Sequence, residues 1–219
     1  MKLKIILMTY AMVQGVTMCY AAEVKPIHES QYSTQLPLEL KTLLDANIHT
    51  LEPSKASLFD ASMYKPAWLP GWIVKSSNVC FTRLSGATKF VQAKEKLQLD
   101  SIEIPVKYGY TSARGNHYVI AQLIHDTKKD LTLSDTKRVY KIACEVGWKD
   151  AHRDNFFKTE RGTVAIIDTE AEYLEKTKSK NIKEAVVSKM LCKHGYTSEA
   201  YNYLIQKNLK LIEMDISQA

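Results

Sequence analysis

The chain has 219 residues, 45% of them apolar and 25% charged, which is enough apolar material for one domain with a real core and too much for a disordered chain. Its formal charge is +6, yet no block of Lys and Arg is interleaved with aromatics, and the basic residues of 171–219 alternate with acids as on a solvated helical face, so nucleic-acid binding is not expected. The four cysteines show no C-x-x-C spacing, which argues against a zinc framework.

Residues 1–21 read as a secretory signal peptide. Lys2 and Lys4 precede an apolar run from Ile5 to Met18, and the small-residue exit "CYAA" places Cys19 and Ala21 where cleavage wants them, with Ala22 or Glu23 first in the mature chain. The run is shorter than the roughly 20 residues of a membrane span and contains Gln14 and Gly15. The protein is therefore expected to be exported or secreted, with no stable membrane span in its mature form. Cleavage removes two lysines and no acid, leaving +4, and leaves Cys80, Cys144 and Cys192, which read as small core residues.

Residues 22–65 form an N-terminal extension in which "LPLELKTLLDANIHTL" spaces Leu40, Leu43, Leu44, Ile48 and Leu51 helically. Pro66 and Pro70 lead into "GWIVKSS", a strand ending at Lys75 and Ser76, and a second strand is expected around "NVCFTRL". Residues 86–99 suit a helix. "SIEIPVKYGY" and "HYVIAQLI" suit two strands joined by a turn at "SARGN". A long helix follows, with Ser134 as N-cap, Val139, Ile142, Ala143 and Val146 on one face, and Gly147 as its stop. After a hairpin come two helical patterns, Ile182–His194 and Ser198–Met214. Consecutive strands joined by turns give an α+β fold rather than a βαβ one.

The stretch from Asp150 to Glu170, "DAHRDNFFKTERGTVAIIDTE", holds the chemistry. A turn at Arg161 and Gly162 makes a hairpin that would set Asn155 directly opposite Asp168, roughly 5 Å apart between Cα atoms. Hard oxygen ligands so placed suit Mg²⁺, which takes one or two protein ligands and completes its shell with water and phosphates. Asp150, just before them at the exit of the long helix, would orient or deprotonate a hydroxyl, and His152 would share that role.

The order Asp150, Asn155, Asp168 resembles the catalytic segment of kinase-like phosphotransferases. The wording "DAHRDNFF…AIIDTE" is more similar to the phosphoinositide-kinase branch, with its D-x-H-x-D-N loop, than to the H-R-D of ordinary protein kinases. The resemblance implies a reduced two-lobed kinase-like fold over residues 66–219, a small antiparallel sheet lobe (66–124) plus a short helical lobe (125–219). It implies ATP and Mg²⁺ as cofactors, Asn155 and Asp168 as metal ligands, and Asp150 and His152 as the groups acting on the hydroxyl. Lys75 would meet the nucleotide phosphates with Glu95 as its partner, and "YVIAQLI" would run into the adenine-holding hinge, bringing Gln122 to the cofactor.

The departures are equally specific. Gly71 stands alone among Trp68, Pro70 and Trp72 where a glycine-rich loop is expected; Thr169 and Glu170 replace Phe-Gly, leaving Glu170 as an extra metal ligand or a solvent-facing acid; and no Ala-Pro-Glu segment exists. Three functions follow as expectations: a phosphotransferase moving the γ-phosphoryl of ATP to a hydroxyl on a protein, lipid or small molecule; a secreted pseudokinase-type binding module without turnover; or an unrelated exported α+β adaptor whose hairpin is merely polar.

Overall fold

The computed structural model describes residues 36–51, 63–76, 80–169 and 180–216. The leader expected at 1–21 and Glu170 lie outside them. The described residues fold as α+β, with five α-helices, a four-stranded antiparallel sheet and a smaller three-stranded sheet. None of the described helices is long and apolar enough to cross a membrane.

The first sheet has the order β1 (Met63–Tyr64), β2 (Trp72–Ser76), β5 (His117–Gln122), β4 (Lys107–Thr111). Side chains alternate across it, so Val74, Tyr118 and Ile120 face one way and Ile73, Lys75, Val119 and Ala121 the other. Helix α1 (Leu38–Asn47) covers the first face, where Leu40, Leu44 and Ile48 pack with Leu69, Val74, Tyr110, Tyr118 and Ile120. The Tyr110 hydroxyl donates to Asp45 Oδ1 at 2.9 Å and fixes the helix in place. The helix expected in a separate extension is thus one layer of the sheet lobe.

On the opposite face, Leu84 of α2 (Cys80–Lys96) meets Ile73, Val119 and Ala121. The strand expected around "NVCFTRL" is a correction: from Cys80 onward these residues are helix. Phe81 and Thr82 favour a strand locally, but Leu84, Ala87, Phe90 and Ala93 repeat at helical spacing and are all buried, and that burial outweighs local propensity. "SIEIPVKYGY" also divides. Pro105, with no N–H to donate, separates β4 from β3 (Ile102–Glu103), and β3 leaves the first sheet to pair in parallel with β7 (Val164–Ile166) in the second. Residues 102–103, assigned by sequence to the sheet lobe, therefore tie it to the second sheet.

Helix α3 (Leu133–Val146) buries Val139, Ile142, Ala143 and Val146 and stops at Gly147, whose φ of 71° suits a left-handed cap. Its N-cap is Thr132 rather than Ser134, because Thr132 and Asp135 form a reciprocal capping box. With α4 (Lys180–Leu191), α5 (Ser198–Ile216) and the second sheet, α3 encloses the larger core, which includes Trp148, Phe156, Ile166, Ile182, Val186 and Leu204. Among the described cysteines Cys144 is half-buried and Cys192 exposed, both free, so the core reading fails for Cys192.

Asp135 is fully buried and accepts hydrogen bonds from Thr132 N (3.1 Å) and Oγ1 (2.8 Å), Arg138 Nη2 (2.7 Å) and Lys158 Nζ (2.6 Å). Burial alone would raise its pKa, but Lys158, Thr132 and Arg138 together hold it below the usual carboxylate value. A depressed folded pKa stabilises the fold above the unfolded value of about 3.9 and stops doing so as the pH falls through the lower folded value. Asp135→Asn is expected to cost about 1–3 kcal/mol at neutral pH. In urea melts at a series of pH values, the gap to wild type should narrow below about pH 4; a gap that widens there would contradict this role.

Candidate functional site

Beyond Gly147 the chain is anchored by Trp148, which is 1% exposed. Its ring meets Phe90 of α2 edge-on at 5.1 Å and Phe156 at 6.1 Å. Asp150 follows, then the buried Ala151, His152 and a 3-10 turn over Arg153–Asn155. Asn155 is 7% exposed, and its Nδ2 donates to the Asp150 carbonyl at 2.9 Å and to Asp150 Oδ2 at 3.1 Å, with His152 Nε2 at 3.2 Å. His152 Nε2 also lies 3.5 Å from Asp150 Oδ2. Asp150, His152 and Asn155 are thus one cluster. Neighbouring Asp154 is held by Lys193 Nζ at 2.9 Å, a bond that lowers the Asp154 pKa and raises that of Lys193.

Arg153 fastens this loop from below. Its Nε donates to Gly195 O at 3.1 Å, its Nη2 to Lys129 O at 3.2 Å and its Nη1 to Phe156 O. Gly195 has a φ of +108°, and a Cβ there would sit 2.7 Å from Arg153 Nε. Gly195→Ala is therefore expected to destabilise by about 1–3 kcal/mol through backbone strain, and to displace the guanidinium as well. Thermal melts read the first effect. Unchanged stability would remove Gly195 from the loop's support.

The hairpin closes with a register one step from the expected one. β6 (Phe156–Lys158) pairs with β7 as Phe156↔Ile166, Phe157↔Ala165 and Lys158↔Val164. Thr159 N donates to Thr163 O and Gly162 N to Thr159 O, so the loop is the three residues Glu160–Gly162, with Gly162 at φ +76°. A type I turn followed by a left-handed glycine adds one residue to the two-residue turn read from sequence. Asn155 consequently faces Ile167, whose N donates to Asn155 O at 2.9 Å, and Asp168 comes one position later, beyond the end of β7.

Both metal candidates keep an atom to offer. The Asn155 amide nitrogen is committed to Asp150, which leaves Oδ1 as its ligand atom. Asp168 Oδ1 is buried without a hydrogen-bond partner among the described residues, an arrangement that costs free energy unless something fills it. Among the described residues no group of three or more His, Cys, Asp or Glu could hold a metal. An ion that accepts one or two protein ligands needs no such group, so Asn155 Oδ1 and Asp168 Oδ1 are hard oxygen donors of the type Mg²⁺ takes, although the register does not set them opposite each other.

A cleft of about 620 Å³ lies between the first sheet and the hairpin. Lys75 and Gln122 line it from the sheet side, as do Ile73, Val119 and Ala121; Phe157 and Ile167 line it from the hairpin. It reaches Asp154 and Ile167, the sequence neighbours of Asn155 and Asp168, and Phe157, but Asp150, His152, Asn155 and Asp168 are not among the residues that line it. Glu95 is not brought there: it is exposed in the last turn of α2 and lines no part of the cleft. Gly71, at φ +81°, accepts from Leu123 N at 2.8 Å, so its turn joins the start of β2 to the end of β5.

The sequence reading missed Lys107. It is 3% exposed, lines the cleft, and its Nζ donates to Ile167 O and to Thr169 Oγ1, both at 2.8 Å, gripping the chain on either side of Asp168. The available signal was its pairing with Ala121, which puts it on the cleft face of the sheet; without that register a lysine starting a strand looks like any solvated one. No protein-family model matches the chain, and a search of curated proteins finds no match to it.

Proposed function

We propose that this chain is an atypical kinase-like phosphotransferase that moves the γ-phosphoryl of ATP to a hydroxyl acceptor. The observation that carries this reading is the cleft of about 620 Å³ between the sheet and the hairpin, lined by Lys75 and Gln122 on one side and on the other by Asp154, Phe157 and Ile167, which stand in sequence next to or near Asn155 and Asp168. That volume lies in the range of small-molecule sites. Its apolar walls suit an adenine ring, and Lys75 brings positive charge to the phosphates.

Asn155 and Asp168 would hold Mg²⁺, which supplies neutralisation of the phosphate charge. Asp150 takes the acceptor's hydroxyl proton, with His152 beside it to orient the carboxylate or share the proton. A bond forms from the acceptor oxygen to the γ-phosphorus as the bond to the β–γ bridging oxygen breaks, leaving ADP. Such transfer relies mainly on positioning and electrostatic stabilisation, so a small lobe suffices. Lys107 belongs in this scheme as the positioning residue for Asp168, whereas Glu95 has no part in it. The leader read at residues 1–21 makes export part of the same proposal.

A specific observation favours the second reading, binding without turnover: Gly71 stands alone before β2, so no glycine-rich segment covers the phosphates. Transfer of label from γ-labelled ATP, to water or to the chain itself, decides between them. Mg²⁺-dependent release that stops on chelation supports the enzyme; Mg²⁺-dependent binding with no release supports the binding module; neither binding nor release removes both.

A further inference from the structure

A second groove, of about 700 Å³, lies on the far side of α3, where α3, α4 and α5 meet. Lys137 and Lys141 enter it from α3, Lys183 from α4, and Lys207 and Lys210 from α5. Along the sequence these lysines alternate with acids and look like a solvated face; in the fold they converge. The one carboxylate in the lining, Glu145, is engaged by Lys96 at 2.7 Å. None of the five lysines is within salt-bridge distance of a carboxylate among the described residues, although ion pairs occur elsewhere, as in Lys158–Asp135 and Lys193–Asp154.

The remaining groups of the groove do not supply the missing negative charge. Lys137 Nζ lies 5.5 Å from the Tyr203 ring centre, and Lys207 Nζ lies 5.6 and 5.9 Å from those of Tyr203 and Tyr140, so aromatic faces partner these ammonium groups. Burial pushes the Tyr140 and Tyr203 hydroxyls and the Cys144 thiol upward, which keeps all three neutral at physiological pH. Like charges gathered around one cavity repel, and a bound polyanion relieves that repulsion. Lysine from three helices suits phosphate groups held as point charges on several sides, whereas a single carboxylate would engage one ammonium and a nucleic-acid strand needs an open path.

We infer that this groove binds a compact polyphosphorylated ligand, several phosphate groups on one small scaffold, whether a free metabolite or a lipid headgroup. The inference does not depend on chemistry in the first cleft. Titration calorimetry of the full chain with tripolyphosphate and with inositol hexakisphosphate tests the free form; sedimentation with phosphatidylcholine vesicles, with and without phosphatidylinositol 4,5-bisphosphate, tests the headgroup. Saturable binding in either arm is expected, weakening with added salt. A Lys183→Gln/Lys207→Gln double variant should bind at least roughly tenfold more weakly, while Lys189→Gln, which lies outside the groove, should bind as wild type does.

A measurement on the unaltered chain guards against a misfolded variant: mass spectrometry should show alkylation of Cys144 slowed by whichever ligand binds. Binding of soluble ligands identifies a metabolite site, and binding confined to the lipid-bearing vesicles identifies a headgroup site. No saturable binding in either arm, equal binding by the double variant, or Cys144 alkylation indifferent to ligand would overturn the inference.

Discussion

Asp150→Ala is expected to slow phosphate release from ATP by about 10²–10⁴-fold, the range usual for loss of a general base, while Mg²⁺-dependent ATP binding stays close to wild type. The two effects separate because of how Asn155 is held. Its Nδ2 keeps the Asp150 backbone carbonyl at 2.9 Å when the side chain is removed, so the candidate metal ligand stays in place while the proposed proton-accepting carboxylate is lost. His152→Ala should cost less, since the proposed part of His152 is to assist Asp150, whose Oδ2 lies 3.5 Å from its Nε2. An Asp150→Ala protein that releases phosphate at the wild-type rate removes Asp150 from the reaction. One that loses ATP binding altogether makes it structural.

The largest expected effect on stability belongs to Trp148. Its ring is 1% exposed and is the contact through which α2, by Phe90, and the hairpin, by Phe156, brace the segment leading to Asp150. Trp148→Ala should cost about 3–5 kcal/mol, because it loses the transfer free energy of a large ring and leaves a cavity that two aromatic neighbours cannot both collapse into. For a chain of this size that lowers the melting temperature by roughly 6–20 °C. Trp148→Phe, which keeps an aromatic ring between the two neighbours, should cost markedly less. A loss under about 1 kcal/mol for Trp148→Ala would mean that the segment is braced elsewhere.

What the sequence made legible was decided by local signals. Helix α3 and its stop at Gly147 could be read because the apolar spacing and the glycine agree. The cluster of Asp150, His152 and Asn155 could be read because three residues so close in one loop have little freedom to separate. What failed depended on details that only pairing resolves. The strand expected at "NVCFTRL" is helix because burial of Leu84, Ala87 and Phe90 outweighs local preference. One extra residue in the loop at Glu160–Gly162 moved Asp168 out of register with Asn155. Glu95 was chosen by its distance in sequence from Lys75, and helical phase leaves it exposed. Lys107 escaped notice because its burial depends on Ile167 and Thr169, about sixty residues away in the chain.

The central claim is that Asn155 and Asp168 hold one divalent ion beside a nucleotide in the cleft that Lys75 lines. Thermal unfolding of the wild type and of Asp168→Ala, each with ATP and with or without Mg²⁺, tests it most directly. At a hundredfold excess over its dissociation constant a ligand adds about 2.7 kcal/mol, so the wild type should melt roughly 5–10 °C higher with ATP and Mg²⁺ together, and Asp168→Ala should show little of that rise. An equal rise in both proteins, or none in the wild type, would contradict the claim.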